Sequence, residues 1–209
     1  MGSATKFLLV IIGLIVVLGL LAMASYNRLV SLQQATNAQW AQVQNVYQRR
    51  TDLVPNLVST VAGAANFEKS TLIAVTDARA SVGRVQLPAG AAPTDPAQLA
   101  AFEQAQGQLG SALSRLLVVS ERYPDIKATA GFRDLQAQLE GTENRIAVER
   151  GRFNDVVQAY DTAIRRFPAA LFAGMMGFTS RPYFSATPGS DTPPKVQFDF
   201  SATPAPAKP

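Results

Sequence analysis

Arg50 and Glu149 fall at positions where helical periodicity asks for apolar side chains, and Arg49, Asp52, Glu143 and Asn144 stand close to them in sequence. A charge carried into a core survives only when it is paired and hydrogen-bonded. Arg50 is therefore expected to pair with Glu149 or Glu143 across a helix–helix seam, where such a pair fixes register more than it adds stability. Paired carboxylates can also do acid–base work. That makes Arg49, Arg50, Asp52, Glu143 and Glu149 the one constellation with chemical potential. The rest of the chain does not supply what such chemistry needs. There is no histidine and no cysteine, so the commonest general base, the commonest metal ligand and any thiol nucleophile are absent. Carboxylate di-metal sites in helical bundles use Glu-x-x-His pairs, which this chain cannot form. No phosphate-binding glycine loop and no nucleophile-elbow motif occurs. The reading is a structural ion pair, with no catalytic, cofactor or metal residues and no enzymatic activity.

The elements that must position these residues are helices. Leu29, Leu32, Thr36, Gln39, Val43, Val46, Arg50, Leu53, Leu57 and Val61 follow a spacing of three and four, which places them on one helix stripe. The spacing predicts a first helix over 26–65, widened by Trp40, Tyr47, Val54 and Val58. Pro55 lies inside it, so a kink or local break is expected there. Asn66 is read as the cap of a second helix carrying Leu72, Val75, Ala78 and Val82. Asp95-Pro96-Ala97-Gln98 opens a third, with Asp95 as N-cap and Gln98 closing a capping box. Its apolar face is Leu99, Phe102, Leu109, Leu113 and Leu116, and it stops near Tyr123-Pro124. A fourth helix over 125–167 carries Phe132, Leu135, Leu139, Thr142, Ile146, Glu149, Phe153, Val156 and Tyr160. Four amphipathic helices with short connections make an antiparallel bundle. Helices one and four are the long members, covered together by two and three.

Ahead of the bundle, Phe7 to Ala24 is an unbroken apolar run. At about 18 residues it just crosses about 30 Å of hydrocarbon as a helix. It is read as an uncleaved anchor. A cleaved signal ending at Ala22-Met23-Ala24 is the other reading, and the run exceeds the usual h-region. The α-amino group and Lys6 before the run outweigh the lone Arg28 after it by about one charge, so the domain is expected outside the cytoplasm, held by an inner membrane. The order is thus a short tail (1–6), the anchor (7–24), the bundle (25–167), an apolar segment (168–184) that returns near the bilayer and is read as packing on the bundle base, with lying at the membrane interface as the other reading, and a Pro-rich end (185–209) expected to be largely disordered. Within that end, Val196, Phe198 and Phe200 alternate with polar residues as a short strand would and are candidates for docking on the bundle or on a partner. The net charge is +4 and the isoelectric point about 9.6. Basic and acidic residues are mixed along the helices, so no nucleic-acid face is expected, while a mild attraction to anionic lipid fits.

Several strings resemble the LemA family. They are Tyr26-Asn27-x-Leu29-Val30 after the anchor, Trp40, and Tyr47-Gln48-Arg49-Arg50-x-Asp52-Leu53-Val54-Pro55-Asn56-Leu57-Val58, then Ala78-Arg79. The second half adds Glu121-x-Tyr123-Pro124, Leu139-Glu140-Gly141-Thr142-Glu143-Asn144-x-Ile146, Asn154, Phe167-Pro168 and Gly177-Phe178. The resemblance runs from Tyr26 to Phe184. It implies a single-pass, N-terminally anchored protein with an outlying helical bundle, and its magnetosome-membrane branch implies a role in shaping or organising membranes. The chain departs from the family pattern at Ala62-Gly63-Ala64, where a basic residue, Gly and an aromatic are usual, and at Phe153, where Tyr is usual.

The expectation is a non-enzymatic, membrane-anchored scaffold or adaptor of the cell envelope that binds unidentified proteins or copies of itself. Arg49, Arg50, Asp52, Pro55, Asn56, Glu143, Asn144, Glu149, Val196, Phe198 and Phe200 are its structural or interaction candidates. The alternatives are an accessory envelope enzyme using Glu143 and Glu149, which requires an open cleft with a raised carboxyl pKa around them, and a cytoplasm-facing signalling adaptor.

Overall fold

The first helix does not restart after the apolar run: α1 is continuous from Ser3–Ala62. The structure, a computed structural model, describes residues 2–63, 67–85, 87 and 90–185. Those residues are all-α, with α2 at Lys69–Arg84, α3 at Pro96–Ser120, the single turn α4 at Pro124–Lys127 and α5 at Ala130–Arg165, followed by a 3-10 turn at Ala169–Leu171. Through residue 21 no side chain of α1 is covered by the rest of the molecule. That is the surface a lipid-spanning helix presents. At about 1.5 Å per residue, α1 is about 90 Å long. Its first third is the apolar run, long and apolar enough to cross a membrane, and its remainder is the backbone of the bundle.

Pro55 sits inside α1 without ending it, so of the kink or break expected there, no break occurs. A proline there has no N–H for the Thr51 carbonyl one turn earlier. Arg79 of α2 supplies the missing donor, its Nε reaching the Thr51 oxygen at 3.3 Å. A second helix thus repairs what the first one's sequence removes.

Three layers of core run up the bundle. In the layer farthest from the anchor, Val54, Leu57 and Val61 of α1 meet Val75 and Ala78 of α2, Leu109, Leu113 and Leu116 of α3, Ile126 of α4, and Phe132 and Leu139 of α5. In the middle layer, Trp40, Val43 and Tyr47 pack with Leu99 and Phe102 of α3, Ile146, Phe153 and Val157 of α5, and Phe184. At the base, Leu29 packs with Tyr160, Ala163 and Ile164 of α5 and with Ala169, Ala173 and Phe178 beyond it. The order of partners makes α5 antiparallel and α3 parallel to α1. Only the far layer is built from four long helices. Helices α2 and α3 do not cover α1 and α5 down to the base, as the sequence reading had it. There the 3-10 turn and residues 172–184 take over.

Two helix starts differ from expectation. The second helix begins at Lys69 after Glu68, and Asn66 lies outside the described residues. The expected helix from Asp125 is split, because Thr129 caps a new one: its Oγ1 accepts from the Phe132 N–H at 3.3 Å and donates to the Ile126 carbonyl at 2.7 Å. The capping box at α3 is half made. Asp95 accepts from the Ala97 N–H at 2.8 Å, but Gln98 is turned inward, its Oε1 buried without a partner among the described residues.

Candidate functional site

Arg50 is only 4% exposed. Three helices converge on it. Nη1 donates to Glu143 Oε1 of α5 at 2.9 Å, and Nη2 donates to the Gln106 carbonyl at 2.9 Å and to its Oε1 at 2.5 Å. The guanidinium also lies over the Tyr47 ring, 5.1 Å from its centroid. Arg50 therefore takes Glu143 rather than Glu149, and the third member, Gln106, was not foreseen. Gln106 had a signal. It falls between Phe102 and Leu109 on the α3 stripe, at the spacing of four and three that marks a core position.

Above Arg50, α3 and α5 stand apart. The opening is a cleft of about 920 Å³ lined by Tyr47, Arg50, Glu103, Gln106, Glu143 and Arg150 among others. It continues into a second hollow of about 520 Å³ past Leu113, Leu117, Leu139 and Asn144. The α3 wall is made of small residues, Gly107, Gly110, Ser111 and Ser114, so the helices leave space between them. At the other end of the cleft Arg150 binds Glu103 Oε1 at 2.8 Å and the Ser185 carbonyl at 2.9 Å, and stacks 4.7 Å over the Phe184 ring. Burial pushes the Glu103 carboxyl up, against the pull of Arg150 and of the hydrogen bond from Ser185. Burial likewise raises the Tyr47 hydroxyl, opposed by Arg150 and Arg50.

Glu149 belongs elsewhere. It accepts from Gln39 Nε2 at 2.6 Å and pairs with Arg152 at 2.8 Å, and it lines a separate hollow with Gln42, Val46 and Arg145. Six residues apart on α5, Glu143 and Glu149 are turned roughly 120° from each other. The acid–base pair suggested by the sequence therefore faces no common space. The two carboxylates that share one cleft are Glu103 and Glu143, and each is already bound to an arginine.

The other candidates are spread along the surface. Arg49, Asp52, Pro55, Asn56 and Asn144 are exposed. Asp52 accepts from Gln48 Nε2 at 2.7 Å, and the Asn56 carbonyl accepts from the hydroxyls of Ser59 and Thr60. Val196, Phe198 and Phe200 lie outside the described residues.

A second polar network, invisible in the sequence, fastens the segment after α5. Asn154 Nδ2 donates to the Phe184 carbonyl at 3.0 Å and Asn154 Oδ1 accepts from the Phe184 N–H at 2.9 Å. Arg181 is buried, its N–H on Asp161 Oδ1 at 3.1 Å and its Nη1 on the Ala92 carbonyl at 2.5 Å, while the Ala92 N–H donates to Asn37 of α1 at 3.0 Å. This seats Phe184 on Trp40 and Phe153, with ring centroids 6.0 and 5.4 Å away. Phe153 is fully enclosed, and a phenyl ring leaves no hydroxyl to satisfy there.

No group of His, Cys, Asp or Glu among the described residues could hold a metal ion. The arrangement is a cross-helix lock, with arginines tying α1, α3, α5 and the following segment together.

The chain is similar to magnetosome proteins MamQ 1 and MamQ 2 of Paramagnetospirillum magneticum, each 28% identical over 210 aligned positions that cover 92% of this chain and 77% of the relative. It is 27% identical to magnetosome protein MamQ of Magnetospirillum gryphiswaldense, covering 80% of this chain and 67% of that one. The family model that matches, over residues 39–198, is that of the LemA family. It takes in most of the bundle, including the Arg50 lock and the Asn154 clasp, and the chain belongs to the LemA family.

Proposed function

We propose that this protein is a non-enzymatic scaffold, anchored in the cell membrane by α1, that holds other proteins or copies of itself at a fixed place beside the bilayer. The observation that carries this reading is the continuity of α1 from Ser3 to Ala62. A flexible linker after the anchor would let the bundle swing. A helix that runs from the bilayer through all three core layers joins the bundle rigidly to its own span. A rigid post suits the organisation of neighbours at a surface. Arg50, Glu143, Glu103 and Arg150 are engaged in ion pairs between helices. The MamQ relatives are magnetosome proteins by name, and that kinship supports a part at a membrane. The slight excess of positive charge before the anchor supports a bundle outside the cytoplasm.

The test is in-cell photo-cross-linking. A photoreactive phenylalanine is placed in the full chain at Ile73 or Val118, both exposed on the bundle away from the anchor. The scaffold reading expects a discrete cross-linked species, with a second copy or another protein. A chain that remains uncross-linked at both positions, and is a lone monomer in mild detergent, contradicts it.

A further inference from the structure

The segment after α5 has two apolar sides. One faces inward: Ala169, Ala173 and Phe178 are buried against Leu29, Tyr160 and Ile164. The other faces out, with Phe167 78%, Leu171 58% and Met175 79% exposed. Three large apolar side chains spaced four apart in one short turn are not what water favours at a bundle end. Their level in the molecule is set by α1. Ser25 is buried and Ala22 half-buried on the same face of α1 as Leu29, and Tyr26 meets Phe178 edge-on at 5.8 Å. The turn therefore lies beside the last residues of the apolar run, where α1 leaves the hydrocarbon.

Basic groups ring the same level. Arg165 is exposed, its Nη2 3.1 Å from Ser180 Oγ and 3.9 Å from Asp161. Arg28 and Arg166 line one hollow with Asp155. An apolar patch with cations about it, level with the membrane exit of its own anchor, matches the headgroup–acyl boundary in both chemistry and position.

We propose that Phe167, Leu171 and Met175 form a foot that enters the interfacial layer of the same bilayer α1 crosses, with Arg28, Arg165 and Arg166 against anionic headgroups. The foot is a second attachment point. It stops the bundle from rotating about or tilting on its single span. The inference rests on residues 7–24 being the span, and the test separates the two.

The chain has no native cysteine, so single spin labels report cleanly. Full-length chains with Met175→Cys, Leu171→Cys, Val118→Cys or Leu14→Cys are labelled and reconstituted in vesicles of phosphatidylcholine and phosphatidylglycerol. Accessibility to oxygen is compared with accessibility to a water-soluble nickel chelate. The foot predicts an oxygen-to-nickel ratio at positions 171 and 175 several-fold above that at 118 and approaching that at 14. Ratios at 171 and 175 equal to that at 118, with 14 reading lipid, overturn the foot and leave the anchor standing. A watery reading at 14 as well overturns both. Spin–spin broadening at 175 that vanishes on dilution with unlabelled chain makes this face a contact between copies, and overturns the foot too.

Discussion

Arg50 leans on Gln106 more than on Glu143. Two of its three hydrogen bonds go to Gln106, at 2.9 and 2.5 Å, and Gln106 is buried. The Glu143 side chain, 2.9 Å from Nη1, is 44% exposed. Water can replace the arginine for Glu143 but not for Gln106. The partner whose loss matters is therefore the neutral one.

Mutants should divide accordingly. Glu143→Gln is expected to cost well under about 1 kcal/mol, as a half-exposed ion pair does. Arg50→Met orphans the Gln106 amide and should cost about 1–3 kcal/mol. Adding Gln106→Leu to Arg50→Met should recover much of that, since two apolar groups leave nothing unsatisfied. Guanidinium unfolding of the detergent-solubilised chain, followed by the fluorescence of Trp40, the single tryptophan and one wholly buried, reads all three.

Pro55 and Arg79 should be coupled. Pro55→Ala returns an N–H to the Thr51 carbonyl and removes a residue that costs a helix interior about 3 kcal/mol at most sites. The variant is expected to be more stable than the wild type. Arg79→Ala should destabilise the wild type measurably and the Pro55→Ala chain hardly at all. A double-mutant cycle that shows simple additivity would remove the repair of Thr51 by Arg79.

Glu103 predicts a pH dependence of definite sign. Its folded pKa is raised above the ordinary value of 4.5 by burial. Between 4.5 and the raised value the folded state holds more protons than the unfolded, so this group's contribution to stability falls as pH rises through that window. Below 4.5 the penalty is absent. Glu103→Gln removes the titration, so the melting temperature of the variant minus that of the wild type should climb as pH rises from 4 to neutrality. A difference that is flat or falls with pH contradicts the assignment.

Asn154→Ala cuts both bonds to the Phe184 backbone. The expected loss is about 1–2 kcal/mol, with a red shift of Trp40 emission as Phe184 lifts off its ring. An unshifted spectrum would mean that Phe184 is held without the clasp.

The sidedness of the bundle is read by Ser201→Cys in intact cells with any outer membrane permeabilised. An impermeant maleimide is expected to label it. Labelling only after the inner membrane is lysed would put the bundle in the cytoplasm.

What the sequence makes legible follows from periodicity. The stripes over Leu29–Val61, Leu99–Leu116 and Phe132–Tyr160 are buried or half-buried in the structure at every named position, because a face that must be buried repeats locally at three and four. The Arg50–Glu143 contact is half legible for the same reason. A charge on a stripe announces a partner without naming it, and its stronger partner, Gln106, is polar but uncharged and passes unremarked. Thr129 hides because the stripe read for the fourth helix begins only at Phe132, three residues past the cap. Arg181, Asn154 and Ala92 are joined through irregular backbone, and bonds of that kind depend on how the chain closes on itself, which no local pattern records.

The measurement that bears most directly on the account is the mass of the full chain extracted in a mild detergent, taken over a range of concentrations. A scaffold predicts particles holding more than one copy, or one copy with a second protein in fixed proportion. A bare monomer at every concentration would contradict it.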